Sequence, residues 1–167
     1  MVDIALIGAG RIGKIHGGNL ARQAGMRLRY VCDAVPQAAS ELAARLGAGV
    51  ATLNQVFSDG AVQAVAIASS TDTHAELILR AAAARKAIFC EKPVDLDLGR
   101  AREVQAAVAT ARVPCLIGFQ RRYDPTFAAL KRRLDAGEIG EVELLSITSR
   151  DPAPPPIAYI ERSGGIF

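Results

Sequence analysis

The sequence predicts an α/β fold, a doubly wound parallel sheet, on three observations. Short apolar runs of strand length alternate with segments of helical periodicity. A glycine-rich turn, Gly8-Ala9-Gly10-Arg11-Ile12-Gly13, follows the first run directly and opens a helical segment. An acidic residue, Asp33, ends the second run 20 residues past Gly13. Strands and helices alternating in this way imply right-handed crossovers and a sheet with helices on both faces.

The first run, Val2 to Ile7, is almost continuously apolar, as a central strand buried on both sides must be. The turn after it has the G-x-G-x-x-G spacing of a dinucleotide site. Gly8 permits the tight turn, Gly10 lets backbone approach a pyrophosphate, and Gly13 lets helix and strand pack closely. The helix through Lys14 to Leu20 then turns free N–H groups and a positive dipole end toward phosphates.

The second run, Arg27 to Cys32, delivers Asp33 to where a ribose-binding carboxylate belongs. Such a carboxylate accepts from the adenosine ribose hydroxyls and repels a 2′-phosphate. Ala34 and Val35 supply no arginine to hold one, so NAD is favoured, while Arg11 keeps NADP open. A helix N-cap ahead of Pro36 is the plainer reading of Asp33.

Pro36 opens a helix with Ala39, Leu42 and Leu46 on one face and Gly47 at its end. A short strand near Val50 and a helical turn through Val56 and Phe57 lead to the strand Ala64 to Ala68. The loop after that strand, Ser69-Ser70-Thr71-Asp72-Thr73-His74-Ala75-Glu76, suits a capping box from Thr73 to Glu76. Its hydroxyls and His74 fall on the nicotinamide side of the crevice, although a capping or structural role for His74 is the alternative.

The next strand, Lys86 to Cys90, ends in Glu91-Lys92-Pro93, a charged pair at the carboxyl end of a strand, where open α/β sheets bind ligands. Pro93 restricts Lys92 to extended backbone and raises the chance of a cis bond. A solvated surface pair before a turn is the alternative. A helix through Ala101, Val104, Val108 and Ala111 and a strand from Cys115 to Phe119 complete the sheet. Asp124 and Pro125 read as N-cap and N1 of a helix with Phe127, Leu130 and Leu134 inward and Gly137 at its end. Residues 141 to 149 read as one more strand, and the prolines after it as an extended loop.

With 20 basic against 17 acidic residues scattered along the chain, no basic stripe with interleaved aromatics points to nucleic acid. No apolar run approaches membrane-spanning length, and nothing resembles a signal peptide. Cys32, Cys90 and Cys115 lack metal or disulfide spacing and suit buried reduced thiols, so the expectation is a cytoplasmic protein with no metal.

Together, G-A-G-R-I-G, S-S-T-D-T-H-A-E, E-K-P, G-F-Q-R-R-Y-D-P and S-R-D-P…S-G-G-I-F resemble the Gfo/Idh/MocA oxidoreductases across essentially the whole chain. The resemblance implies a Rossmann NAD-binding domain over residues 1–119. Residues 120–167 would begin a truncated α+β domain for substrate binding and oligomerisation. It implies NAD-dependent hydride transfer between a polyol or sugar hydroxyl carbon, myo-inositol C2 foremost, and nicotinamide. Lys92 is then the catalytic lysine. Glu91, Lys92 and Arg122 join Gly8 to Gly13, Asp33, Ser69, Ser70, Thr71 and His74 on the cofactor, and Arg150 and Asp151 join Lys92 at the substrate.

In the family, a histidine and an aspartate from a D-x-x-x-H-type motif just after S-G-G-x-F complete the chemistry, and this sequence stops at Phe167 before it. The expectation is therefore a front portion that binds cofactor more securely than it turns over. It would form a homo-oligomer through the C-terminal sheet if that domain is completed. Two alternatives stand beside it, a non-catalytic NAD(H)-sensing module and another sugar oxidoreductase of the family.

Overall fold

A computed structural model gives the structure of the protein and describes residues 1–150 together with 153, 154, 157 and 160. The chain divides into two units, Met1–Gly118 and Phe119–Phe167.

In the first unit six parallel strands lie in the order β3-β2-β1-β4-β5-β6. They are β1 Val2–Ile7, β2 Met26–Cys32, β3 Gly49–Val50, β4 Ala64–Ile67, β5 Ala87–Cys90 and β6 Cys115–Ile117. The helices between them are α1 Arg11–Arg22, α2 Pro36–Leu46, α3 Leu53–Ser58, α4 His74–Ala83 and α5 Leu98–Ala111. The chain thus winds outward from β1 in one direction, then returns and winds outward from β4 in the other. The predicted doubly wound sheet is the observed one.

Alternation along the central strands explains why they read as unbroken apolar runs. Ile4 and Leu6 of β1 pack with Leu42 and Ala43 of α2 on one face, while Ala5 and Ile7 pack with Val56, Ile78 and Val104 from α3, α4 and α5 on the other. Since both faces are covered, Ile4 to Ile7 leave no position for a polar residue, and Asp3 is accommodated only at the strand's start. Helix α1 lies close to the sheet because Gly17 has no Cβ. A carbon there would stand 2.8 Å from Leu46 Cδ1 and 3.0 Å from Leu6 Cδ2.

Charged residues close the amino end of the sheet. Asp3, at the start of β1, accepts from Arg27 Nε at 2.7 Å and also pairs with the Arg27 Nη2 amine. Arg29 Nε donates to Asp59 at 2.9 Å, and Tyr30 Oη donates to the same oxygen at 3.1 Å. Lys86, expected to belong to an apolar run, is buried, and its Nζ donates to Asp59 O at 2.9 Å and Val62 O at 2.7 Å.

In the second unit, α6 spans Pro125–Asp135, and Asp124 caps it by accepting from Thr126 N and Phe127 N as the sequence predicts. Its supposed inner face is open, however, with Phe127 44% and Leu130 51% exposed. The strand expected over residues 141 to 149 is not formed either. Those residues carry no ladder and are exposed. A strand exists only through hydrogen bonds to a neighbour, and among the described residues none pairs there. Two further expectations are corrected. Cys115 is exposed on the edge strand rather than buried. Thr73 does not cap α4 with its side chain, because its hydroxyl donates to Ser70 O at 2.7 Å and meets Ser69 Oγ.

Candidate cofactor site

The carboxyl end of the sheet is built differently, from backbone. Gly8 takes φ +104°, a left-handed conformation that a side chain strains, and a Cβ there would also meet Ala68 and Ser69 backbone within 2.6 Å. Gly13 presses against Gly8 O, where a Cβ would stand only 1.9 Å away. Gly10, between them, has open space around its α-carbon. These are the three roles the glycine spacing predicts. Gly10 precedes α1 without any side-chain cap, and no acidic residue occupies the first turn, so the helix end offers its N–H groups outward.

Asp33 stands just past β2 and turns its carboxylate onto this turn. Oδ2 accepts from Ala9 N at 2.6 Å, and Oδ1 accepts from Val35 N at 2.8 Å. Asp33 thus orders the glycine turn as well as terminating the strand, a role its spacing did not disclose. It does not cap α2 with its side chain, since Val35 occupies that N-cap.

A cavity of about 760 Å³ runs from this turn across the sheet edge, within the size range of small-molecule sites. It brings together Gly8, Gly10, Asp33, Ser69 and Ser70 from the predicted set. Sequence reasoning missed the opposite wall, formed by Val50 to Gln55 and by Arg80. Arg80 Nη2 donates to Asn54 at 2.8 Å and its guanidinium lies over the Phe57 ring. The one local signal was Thr52 with Gln55, a capping box that both bonds realise at the start of α3.

The other predicted residues lie outside the cavity wall. Ala9 is buried behind the turn, Arg11 is exposed, Ile12 packs on the core, and Gly13 is buried beneath the turn. Thr71 begins a single 3-10 turn, Thr71–Thr73, leading into α4. His74 is 1% exposed, with Nδ1 2.7 Å from Pro93 O and Nε2 3.2 Å from Ser69 O. Glu91 and Lys92 follow β5, and the Lys92–Pro93 peptide bond is cis. Lys92 is exposed and, among the described residues, engages no hydrogen bond or ion pair. Arg122 and Arg150 belong to the second unit and are exposed, while Asp151 lies outside the described residues. Burial pushes the thiols of Cys32 and Cys90 up, which leaves both unreactive.

Comparison with known proteins gives the same reading of this architecture. Residues 2–119 match the Gfo/Idh/MocA oxidoreductase family, NAD-binding Rossmann fold. The chain is 49% identical over 166 residues to an inositol 2-dehydrogenase of Rhizobium meliloti, covering 99% of this chain and 50% of that protein. It superposes on a crystal structure of a myo-inositol dehydrogenase from Corynebacterium glutamicum with TM-score 0.91 and 40% identity, covering 99% of this chain and 50% of that one. A scyllo-inositol dehydrogenase from Lactobacillus casei, solved with bound NAD(H) and scyllo-inositol, matches with TM-score 0.79 and 29% identity over 84% of this chain and 43% of that one. The chain spans about half the length of the curated relatives it matches. Among the described residues no helix is long and apolar enough to cross a membrane.

Proposed function

We propose, because the chain belongs to the Gfo/Idh/MocA oxidoreductase family, that it binds NAD at the glycine turn and serves the oxidation of a ring hydroxyl of a polyol, myo-inositol at C2 foremost. The observation that carries the reading is the turn itself. An uncapped helix end, an open Gly10 and a carboxylate at the end of β2 border one cavity, and these groups fit a dinucleotide. When bound, nicotinamide supplies a hydride acceptor.

The chain's own residues do the rest. Backbone N–H groups of the turn and of α1 hold the pyrophosphate, and Asp33 keeps the turn in shape while its remaining lone pairs accept from the adenosine ribose. Ser69, Ser70 and Thr71 line the nicotinamide side with Glu91, His74 supports that loop from behind through Ser69 O, and Arg122 is assigned to the same cofactor. Lys92 carries the chemistry, as an ammonium next to the reacting hydroxyl stabilises negative charge developing on oxygen and orients the carbon. Arg150 and Asp151 contact substrate hydroxyls. Residues 120–167 begin a substrate and oligomerisation domain that makes a homo-oligomer, and the three free cysteines suit a reducing cytoplasm.

Calorimetry with NAD, NADH and NADP tests the first half of the proposal, with NADP expected to bind weakest. Absorbance at the NADH band with myo-inositol tests the second, using the chain alone and joined to a C-terminal half of the kind its relatives carry. Turnover only in the joined form is the expected result. Binding without turnover in either form would instead favour a sensing module, and absence of NAD(H) binding would refute the site.

A further inference from the structure

We infer that His16 and His74 are positioning residues that clasp the two neighbours of Lys92, one from each of the helices that succeed the cofactor loops. The inference rests on the proposed role of Lys92 and supplies what aims its amine. A lysine stem has many rotamers open to it, and fixing the amine in one of them costs entropy. Lys92 has no partner of its own among the described residues, so the amine is directed only as well as its backbone is held.

Both neighbours are held. The Glu91 N–H donates to Ile67 O of β4 at 2.9 Å, and its carboxylate accepts from His16 Nε2–H at 2.7 Å. A carboxylate only accepts, which fixes the donor as the ring. The His16 ring meets Phe89 edge-on with centroids 4.9 Å apart, so it is packed as well as bonded. Gly118 leaves the room, since a Cβ there would stand 3.3 Å from Glu91 Oε1.

On the other side the Pro93 carbonyl accepts from His74 Nδ1–H at 2.7 Å, and the same ring reaches Ser69 O at 3.2 Å. His16 sits on α1, which opens at the glycine turn, and His74 starts α4, which comes after the β4 loop. The two loops that border the cavity are thereby tied by imidazoles to the residues flanking Lys92. Neither ring is needed as an acid or base for this, only as a strut.

The test reads the Lys92 amine directly. A dilute acylating pulse followed by peptide mass spectrometry measures Lys92 labelling with and without NADH, and calorimetry measures NADH binding on the same samples. Saturating NADH is expected to slow Lys92 labelling about fivefold in the native protein. In His16→Ala that protection is expected to vanish while NADH still binds within about threefold of its native affinity, and in Glu91→Ala the protection is expected to vanish as well. Glu91→Gln keeps an acceptor for His16 and is expected to keep the protection. Order parameters of the Lys92 and Val94 amides are expected to fall from about 0.85 to below about 0.6 in His16→Ala without cofactor. His16 and Glu91 are partly exposed and carry the test, because His74→Ala removes a buried group and risks the fold.

A clasp that merely stabilised the fold would leave protection intact, so protection and order parameters unchanged in both alanine variants overturn the inference. If the native protein binds no NADH, the cofactor reading falls and the order parameters alone decide the clasp. If NADH binds without protecting Lys92, the placement of Lys92 is refuted and the clasp has no function.

Discussion

Two lysines flank β5, and the chain treats them in opposite ways. Lys86, just before the strand, is 4% exposed and spends its ammonium on the carbonyls of Asp59 and Val62. Lys92, just after it, is exposed and spends its ammonium on nothing among the described residues. The same contrast holds for the two ends of the whole sheet. At the amino end Asp3, Arg27, Arg29 and Asp59 satisfy one another, and at the carboxyl end helix N–H groups, glycine backbone and an amine face outward. Polar groups at the amino end pair with one another, while at the carboxyl end the glycine turn, the start of α1 and Lys92 remain open, which is the division expected of an open α/β sheet.

The contrast is sharpest if each lysine is replaced by methionine. Lys92→Met is expected to lower turnover of the active form about a thousandfold. Its unfolding free energy is expected to stay within about 0.5 kcal/mol of native, since the replaced group holds nothing among the described residues. Steady-state rates beside urea unfolding measure both. Lys86→Met is expected to do the reverse, lowering stability by about 2 kcal/mol because the buried Val62 carbonyl is left without a donor and Asp59 O keeps only the Val62 N–H, with NADH affinity within about twofold of native. A Lys86 variant that lost binding but not stability would break the comparison.

Acid supplies the smallest and most graded effect. The hydrogen bond from Arg27 holds the Asp3 carboxyl below the usual aspartate range, against the opposing cost of burial. The Ala61 N–H does most to hold down Asp59, with Arg29 and Tyr30 adding to it. A carboxyl that titrates lower folded than unfolded stabilises the fold above its unfolded pKa. That contribution is lost as pH falls through the lowered folded value. Urea midpoints should therefore drop below about pH 4, and Asp3→Asn should flatten the drop while lowering the plateau at neutral pH. Equal acid sensitivity in the variant would remove Asp3 from the account.

The features legible in the sequence were those that local spacing controls. The glycine turn, Asp33 at the end of β2, the pairing of Asp124 with Pro125 and the doubly wound order all come from residues close together in the chain or from their alternation. The features that escaped were set by distant partners. His16 and Glu91 are 75 residues apart, and Lys86 reaches carbonyls more than 20 residues upstream. Thr73 had the right spacing for a cap, but its hydroxyl found the Ser70 carbonyl instead. Residues 141 to 149 had the composition of a strand, which is only half of what a strand needs. The wall from Val50 to Gln55 carried no motif beyond its helix cap.

The closeness of α1 to the sheet has a consequence for how this stretch can change. Gly13 sits against Gly8 O, His16 points its ring at Glu91, and Gly17 rests on Leu6 and Leu46, all within a turn and a half of one helix. Each added residue rotates the remainder of the helix by about 100°. One insertion between Gly13 and His16 would swing the imidazole off its carboxylate and drive a side chain into the leucines together. This segment is metered to the residue, so it should accept exchanges of its outward side chains, such as Lys14 or Asn19, and refuse any alteration of its length.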